Sequence, residues 1–522
     1  MEMRAHNTLP VCWSIVEFGK LCTFTQGIQV PINKQFETLK QNTVRFLRII
    51  DFTQGNEAPR YIHYPGDKYV VKRDDISMVR YGTVGFVCTG LEGAIANNLF
   101  RVIPNIFIEK KYLFYFLNSY LFKKNINSKG ATMQALSFGL IKPIQIPVPP
   151  LPEQHRIVAK IEELFSELDN GIENLKKARE QLKTYRQAVL KYAFEGKLTK
   201  EWRVRQIQTG NPPEPAEKLL ERIRKEMEKH FKKQAENWEK VCEQAIAEGK
   251  KKPAKPKKPK ELPPLSEKEL AELPELPEGW CWLRIEHIGD IETGMTPSKK
   301  SSVNYGNNYP FYKPTDLNER SNVRKAHDNL SEIGYLKARV VPINSILVTC
   351  IGATIGKTGI IRKEGAFNQQ INAIIPFNNI VPDYVYYQAI CPFFQNQIVH
   401  KASSTTLPIL NKSKFEKLVF VLAPYEEQNT IVCEIESRLS VCDQLEQTIE
   451  DSLKKAEALR QSILKKAFSG ELTKDWRDKH TELISGENSA EKLLELIKAE
   501  KEKTRKNSPQ RRRERRGKKY KD

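Results

Sequence analysis

Residues 153–204 match residues 427–478 without a gap, 274 positions later, with about 20 of 52 positions identical. The first copy opens as EQHRIVAKIEELF at Glu153 and closes as LKYAFEGKLTKEWR, ending at Arg203. The second opens as EQNTIVCEIESRL at Glu427 and closes as LKKAFSGELTKDWR, ending at Arg477. The register continues into AEKLLERI at Ala216 and AEKLLELI at Ala490. A repeat of this length limits the chain to an architecture made twice. The upstream regions correspond more loosely. Leu9-Pro10-Val11-Cys12-Trp13 with Gly27 parallels Leu276-Pro277-Glu278-Gly279-Trp280 with Gly294 at an offset of 267, and ANNLFRVIP (Ala96 to Pro104) parallels NQQINAIIP (Asn368 to Pro376) at 272.

The repeated segments read as long helices. Ile157, Ile161, Leu164, Leu168, Ile172, Leu175, Ala178, Leu182, Tyr185, Val189 and Tyr192 step by three and four, which is a heptad seam. Ile431, Ile435, Cys442, Leu445, Ile449, Ala456, Leu459 and Ile463 repeat it in the second copy. Pro152 and Pro424 are read as start signals, and Gly196 and Gly470 as stop signals. Each seam exposes an apolar stripe that the other can cover, so antiparallel pairing is favoured over each helix packing on its own globular unit. The regions ahead of the helices alternate short β-rich runs (Ser345–Cys350, Thr358–Arg362, Ile371–Ile375) with Gly, Asn and Pro turns. YLFYFLNSYLF (Tyr112 to Phe122) and YVYYQAICPFF (Tyr384 to Phe394) read as short aromatic helices. The predicted class is α+β: a tandem duplication of two mixed α/β domains, separated by two long helices paired as an antiparallel coiled coil. The predicted divisions are 1–150, 151–203, 204–275, 276–423, 424–477 and 478–522.

The chain has 522 residues, 39% hydrophobic and 29% charged, enough for several cores and without an apolar run of bilayer length. Its start lacks the apolar stretch of a signal peptide, and its nine cysteines contain no C-x-x-C pair, so a cytoplasmic protein without a disulfide framework or zinc knuckle is expected. Of the net charge of +21, Lys250–Lys260 supplies seven and Arg505–Asp522 supplies eight. Attraction to a nucleic-acid backbone and simple solvation of a linker and tail explain these two segments equally well. The Lys/Pro tract itself reads as an extended spacer.

P-L-P-E-Q ahead of a heptad helix that ends in AFEGKLTKEWR, with the whole arrangement repeated, resembles the specificity subunit of type I restriction-modification systems. LPEGW, GATIGKTGI (Gly352 to Ile360) and NQQINAIIP resemble that family's target-recognition domains. The resemblance implies a non-catalytic subunit in which each variable domain reads one half of a split DNA site, while the paired helices fix the spacing. It further implies docking of two adenine-N6 methyltransferase subunits, with restriction subunits joining the complex, and S-adenosylmethionine, ATP and Mg held by those partners rather than by this chain. No membrane partner and no metal site are expected. A duplicated DNA-binding adaptor without such partners is the alternative. The first domain departs from the pattern: it starts LPVCW, and its CTGLEGAIANN (Cys88 to Asn98) lacks the fuller GATIGKTG run. The divergence implies two different half-sites.

Base edges are read by Arg, Lys, Asn and Gln, and phosphates by any cation. The DNA-binding candidates are Arg48, Arg80, Asn97 and Asn98 in the first domain. In the second they are Lys299, Lys300, Lys313, Lys357, Gln369 and Gln370. Each alone is more readily a turn or surface residue; they carry weight as sets. Phe194, Trp202 and Arg203, with Phe468, Trp476 and Arg477, are the candidates for partner docking, and an aromatic cap on the neighbouring helix end is the competing reading for the Trp-Arg pairs.

Three near-motifs carry no chemistry. IGATIGKTG lacks the first glycine of a phosphate loop, since position 351 is Ile, and reads as a strand-turn-strand. Asn211-Pro212-Pro213-Glu214 has Glu where adenine methyltransferases place an aromatic, and reads as a lead-in to the helix at Ala216. Pro382-Asp383 has no E-x-K partner at strand spacing.

Overall fold

The computed structural model describes residues 9–127, 135–247, 263–403 and 407–506. The Lys250–Lys260 tract and almost all of the basic tail lie outside them. Among the described residues, ten strands form in each copy. In the first they are β1 (Ser14–Glu17), β2 (Cys22–Gln26), β3 (Thr43–Leu47), β4 (Arg60–His63), β5 (Val70–Val71), β6 (Ile76–Val79), β7 (Val87–Cys88), β8 (Gly93–Ile95), β9 (Leu99–Pro104) and β10 (Gln145–Val148). The second copy repeats them as β11 (Cys281–Arg284), β12 (Gly289–Thr293), β13 (Tyr305–Tyr312), β14 (Asp328–Leu330), β15 (Val340–Val341), β16 (Ile346–Thr349), β17 (Thr358–Ile360), β18 (Gly365–Phe367), β19 (Ile371–Pro376) and β20 (Val419–Leu422). The sheets have the same order in both: β2-β9-β6-β7, β4-β3-β8-β5 and β1-β10, against β12-β19-β16-β17, β14-β13-β18-β15 and β11-β20. Even the unusual parallel pairing recurs, as β3 with β8 and β13 with β18. The duplication predicted from the helices therefore extends through every strand, where little sequence identity survives.

The aromatic stretches each fold as two helices rather than one: Lys110–Asn118 and Tyr120–Asn127, then Pro382–Ala389 and Pro392–Lys401. The glycine-rich run forms the turn between β16 and β17, with Gly352 and Gly356 at positive φ, as expected of a strand-turn-strand. Its counterpart in the first domain is not Cys88–Asn98 but the shorter β6–β7 turn, where Gly82 and Gly85 take the same conformation. That turn keeps only the two glycines of the run, too little for sequence alone to align them.

The long helices run from Leu151 to Phe194 and from Tyr425 to Ser469. Pro152 thus lies inside the first turn, where a missing N–H costs nothing, and Pro150 is the residue that matches Pro424. Gly196 and Gly470 end the helices at φ +70° and +82°, a left-handed conformation that a side chain would strain.

The chain divides into two compact units, Met1–Lys176 with Glu450–Asp522, and Lys177–Ile449. The division cuts both long helices. In the first unit, Ile157, Val158, Ile161 and Phe165 from the start of the first helix share a core with Ile463, Leu464, Ala467 and Phe468 from the end of the second. Arg460 pairs there with Asp169 and covers the Phe165 ring at 4.5 Å. In the second unit, Val189, Leu190, Ala193 and Phe194 share a core with Ile431, Val432 and Ile435. Arg186 there bridges Asp443 at 2.7 Å and Glu446 at 2.8 Å. Within each unit the helix segments therefore meet in antiparallel order, and they share that core with a globular domain. Each helix starts on its own domain and ends in the core of the other copy's domain. Tyr185, Tyr192, Leu445 and Leu459, assigned to the seam, are half-exposed. The apolar face widens toward the helix ends, where a globular domain covers it, so Leu190 and Phe194 replace Tyr192 as the buried positions.

The helices Ala216–Ala247 and Ala490–Lys506 are docked elements. Ala216, Leu219 and Ile223 enter the core of the second unit, and Leu493 and Ile497 that of the first, with Ala490 buried as well. Their matching sequences now have a reason: both cover the same face of an equivalent domain.

Candidate nucleic-acid interface

Each domain gathers three chain segments at one edge: the residues after β2 or β12, the turn after β6 or β16, and the turn between β8 and β9 or β18 and β19. Gly27 and Gly294 permit this approach. A Cβ at Gly27 would sit 2.2 Å from the Ala96 carbonyl oxygen, and one at Gly294 2.0 Å from that of Asn368. In the first domain the Asn97 amide donates to Gln29 Oε1 at 3.3 Å, and Gln26 donates to the Asn97 carbonyl. The Arg80 backbone N–H donates to the Asn98 carbonyl at 2.8 Å, while its side chain donates to Leu136 O and lies over Tyr81. Asn98 Oδ1 is buried with no hydrogen-bond partner. In the second domain the Thr296 hydroxyl bonds to Gln369, Asn368 donates to Gln370 Oε1 at 2.9 Å, and the Gln370 carbonyl accepts from the Cys350 N–H at 2.7 Å. Lys357 closes the neighbouring turn, half-buried. Arg80, Asn97 and Asn98 thus come together, as do Lys357, Gln369 and Gln370.

Arg48 and Lys313 prove to occupy one equivalent position, directly after β3 and β13. The carbonyl just before each accepts from the β8–β9 or β18–β19 turn, Leu47 from Ala96 and Tyr312 from Asn368. The aspartate three residues later accepts from the backbone N–H of each, Asp51 at 2.8 Å and Asp316 at 2.7 Å. Both cations are already engaged. The Arg48 guanidinium binds Asp51, Glu57 and the Ala58 carbonyl; burial opposes its charge, but the two carboxylates raise its pKa. Lys313 pairs with Asp328, and burial followed by repulsion from Lys299 lowers its pKa. Lys299 and Lys300 are exposed.

The structure adds residues that sequence reasoning missed. The loop after β13 exposes Arg320, Arg324 and Lys325, with Arg320 held at φ 56° and ψ −105°. Its signal was present as N-E-R-S-N-V-R-K. The equivalent loop of the first domain carries Asp51 and Glu57, so the two edges differ in charge.

A second constellation sits where each domain meets the helices. Glu153 is fully buried. Its carboxylate accepts from Trp13 Nε1 at 2.8 Å, Thr473 Oγ1 at 2.8 Å and Arg477 Nη1 at 2.6 Å. Arg477 also donates to the Gly470 carbonyl at 2.8 Å. Glu427, equally buried, accepts from Trp280 at 2.7 Å, Thr199 at 2.6 Å and Arg203, and Arg203 donates to the Gly196 carbonyl at 2.6 Å. Pro10 packs on Gly470 and Pro277 on Gly196. The buried carboxylates are satisfied by donors from the domain start and from the other copy's helix end.

These placements correct the docking candidates. Phe194 and Phe468 are core residues, 6% and 1% exposed, packed edge-on against Tyr384, and against Tyr112 and Phe116. Arg203 and Arg477 are committed to the buried glutamates. Trp202 and Trp476 remain half-buried, and Trp476 stacks on His480 at 4.9 Å. Open apolar surface lies instead along the long helices. One groove of about 380 Å³ is lined by Leu182, Tyr185, Val441, Cys442 and Leu445, and another of about 390 Å³ by Leu168, Ile172, Leu175, Ala456, Leu459 and Ile463. Cys442 and Leu168, Leu182 and Ala456, and Tyr185 and Leu459 are pairs under the repeat.

Among the described residues no helix is long and apolar enough to cross a membrane, and no group of three or more His, Cys, Asp or Glu is placed to hold a metal.

Residues 10–182 and 277–455 match the sequence family described as the type I restriction modification DNA specificity domain. The type I restriction enzyme EcoBI specificity subunit of Escherichia coli is 27% identical over 495 residues, spanning 94% of this chain and 92% of that protein. The EcoKI specificity subunit of Escherichia coli K12 is 25% identical over 528 residues, spanning 94% and 96%. The HindI specificity subunit of Haemophilus influenzae is 27% identical over 429, spanning 78% and 89%. A solved chain from work on complex assembly and conformational transition of the type I R-M system aligns with a TM-score of 0.58 at 18% identity, covering 89% of this chain and 99% of that one, a likeness of fold.

Proposed function

This chain belongs to the type I restriction-modification DNA specificity family, and we propose from that membership how its duplicated parts divide the work. It is the non-catalytic sequence-recognition subunit of a type I complex. Each domain reads one half of a bipartite DNA site through the edge built around Arg80, Asn97 and Asn98, or around Lys357, Gln369 and Gln370. The observation that carries this reading is the identity of strand order in two domains whose edge residues differ. One scaffold made twice, with different amide and cationic side chains at the same edge, suits an asymmetric pair of half-sites. Lys299, Lys300, Arg320, Arg324 and Lys325 supply phosphate contacts for the second domain.

The long helices hold the half-sites at a fixed interval. The two repeat-related grooves on them receive two copies of one partner, the adenine-N6 methyltransferase subunit, because equivalent surfaces suit identical guests. S-adenosylmethionine, ATP and Mg are held by the modification and restriction subunits, and the complex works on cytoplasmic DNA.

A base-resolution map of N6-methyladenine in the host genome, with and without this gene, tests the reading. A split motif that loses methylation on deletion is the expected result. An unchanged map in cells that express the partner subunits would overturn it.

A further inference from the structure

The two buried glutamate clusters are the joints at which each recognition domain is fastened to helix segments from both copies. In the first unit, Trp13 belongs to the start of the domain, Glu153 to the start of the first long helix, and Thr473 and Arg477 to the segment after the end of the second. The second unit repeats this with Trp280, Glu427, Thr199 and Arg203. No other glutamate is fully buried among the described residues.

An ion pair is a weak source of stability when buried, since desolvation offsets most of the attraction. Its distinctive property is directionality. A carboxylate that accepts from an indole, a hydroxyl and a guanidinium fork tolerates only one arrangement of the three donors. The Arg477 fork adds a second constraint by reaching the Gly470 carbonyl at 2.8 Å, and Arg203 does the same to Gly196. Apolar packing of Phe468 against Tyr112 and Phe116 holds the same parts together but permits sliding and rotation. From this joint β2 and β9 lead to the reading edge: Cys22 pairs with Pro104 at the helix-side core, and Gln26 with Phe100 next to Gly27. Rotation at the joint would therefore displace the whole edge.

We propose that Glu153 with Arg477, and Glu427 with Arg203, are positioning residues that set the interval at which the two half-sites are accepted. They touch no DNA and act through the orientation of the domains. The inference rests on the bipartite reading above and adds to the helices a second determinant of spacing.

The test uses the full chain and labelled duplexes carrying its two half-sites at the native interval and at one base pair shorter or longer. The wild-type chain binds the altered intervals at least tenfold more weakly. Glu153→Gln, which keeps one of the two acceptor oxygens and removes the charge facing Arg477, narrows that gap to threefold or less, with base preference inside each half-site unchanged. Glu427→Gln does the same. Arg477→Lys keeps the charge but cannot span both Glu153 and Gly470, and it gives the same narrowing. Arg477→Lys carries the test if the glutamine variants fail to fold, and Thr473→Val, which leaves the ion pair whole, keeps most of the wild-type gap. Equal weakening at every interval would mean a merely structural cluster and overturns the proposal. A wild-type chain indifferent to the interval overturns the bipartite reading itself, and the proposal falls with it.

Discussion

Glu153 and Arg477 show how a residue can be conspicuous in sequence for one reason and useful for another. The blocks P-x-x-E-Q and L-T-K-x-W-R recur in both copies, and the Trp-Arg end of the second block reads in sequence as a docking surface or as a helix-end cap. The fold places them against each other instead. Arg477→Met would leave Glu153 buried without its counter-charge, and should cost about 3–5 kcal/mol of unfolding free energy in a urea titration; a loss under about 1 kcal/mol would show the site to be wet. Two glycines make a sharper contrast. Gly470→Ala should destabilise by more than about 1 kcal/mol, because it combines positive φ with a Cβ 2.5 Å from Pro10 Cγ. Gly171→Ala, in a helix interior with nothing within 4 Å, should stabilise by about 0.5–1 kcal/mol. Melting temperatures of the two variants moving the same way would contradict the assignment. The DNA-reading candidates were legible only as residue types. Arg48 and Lys313 look unrelated in sequence, and only the strand order reveals them as one position, each bound by an aspartate three residues on.

At the scale of elements, the heptad spacing identified both long helices and their phase, because a stripe of apolar residues every three or four positions has few other uses. It did not say what covers the stripe. Helix against helix suffices in the middle, where Leu445 and Leu459 stay half-exposed. Domain cores take over at the ends, where Phe194 and Phe468 vanish from the surface. Removing one heptad from both helices together is expected to shorten the interval between half-sites while leaving each half-site unchanged, read from the methylated motif. An unchanged interval would sink the idea that the helices set it. In sequence the segment at Ala216 reads as a charged helix between the two halves, ahead of the Lys/Pro spacer. Its buried face of Ala216, Leu219 and Ile223 is too narrow a signal to separate docking from solvation in advance.

For the whole molecule, the net charge of +21 is concentrated in the Lys/Pro tract and the tail rather than in the folded units. Deleting residues 507–522 is expected to weaken DNA binding equally at cognate and unrelated sequences, and to flatten the dependence of affinity on salt, because fewer counterions are released. Titrations at several salt concentrations decide this. A loss confined to the cognate sequence would instead assign the tail a part in base reading.

By itself the sequence determined that the chain is made twice, that long helices follow each β-rich domain, and that no phosphate loop or adenine-flipping motif is complete. Those properties are periodic or local, and they survive in a one-dimensional record. Only the tertiary structure decided which helix end enters which core, that the β6–β7 turn is the partner of the glycine-rich run, and that two distant repeated blocks close on one buried carboxylate. These depend on contacts between residues hundreds of positions apart, 324 for Glu153 and Arg477, where burial and hydrogen-bond geometry, rather than spacing, select the partner.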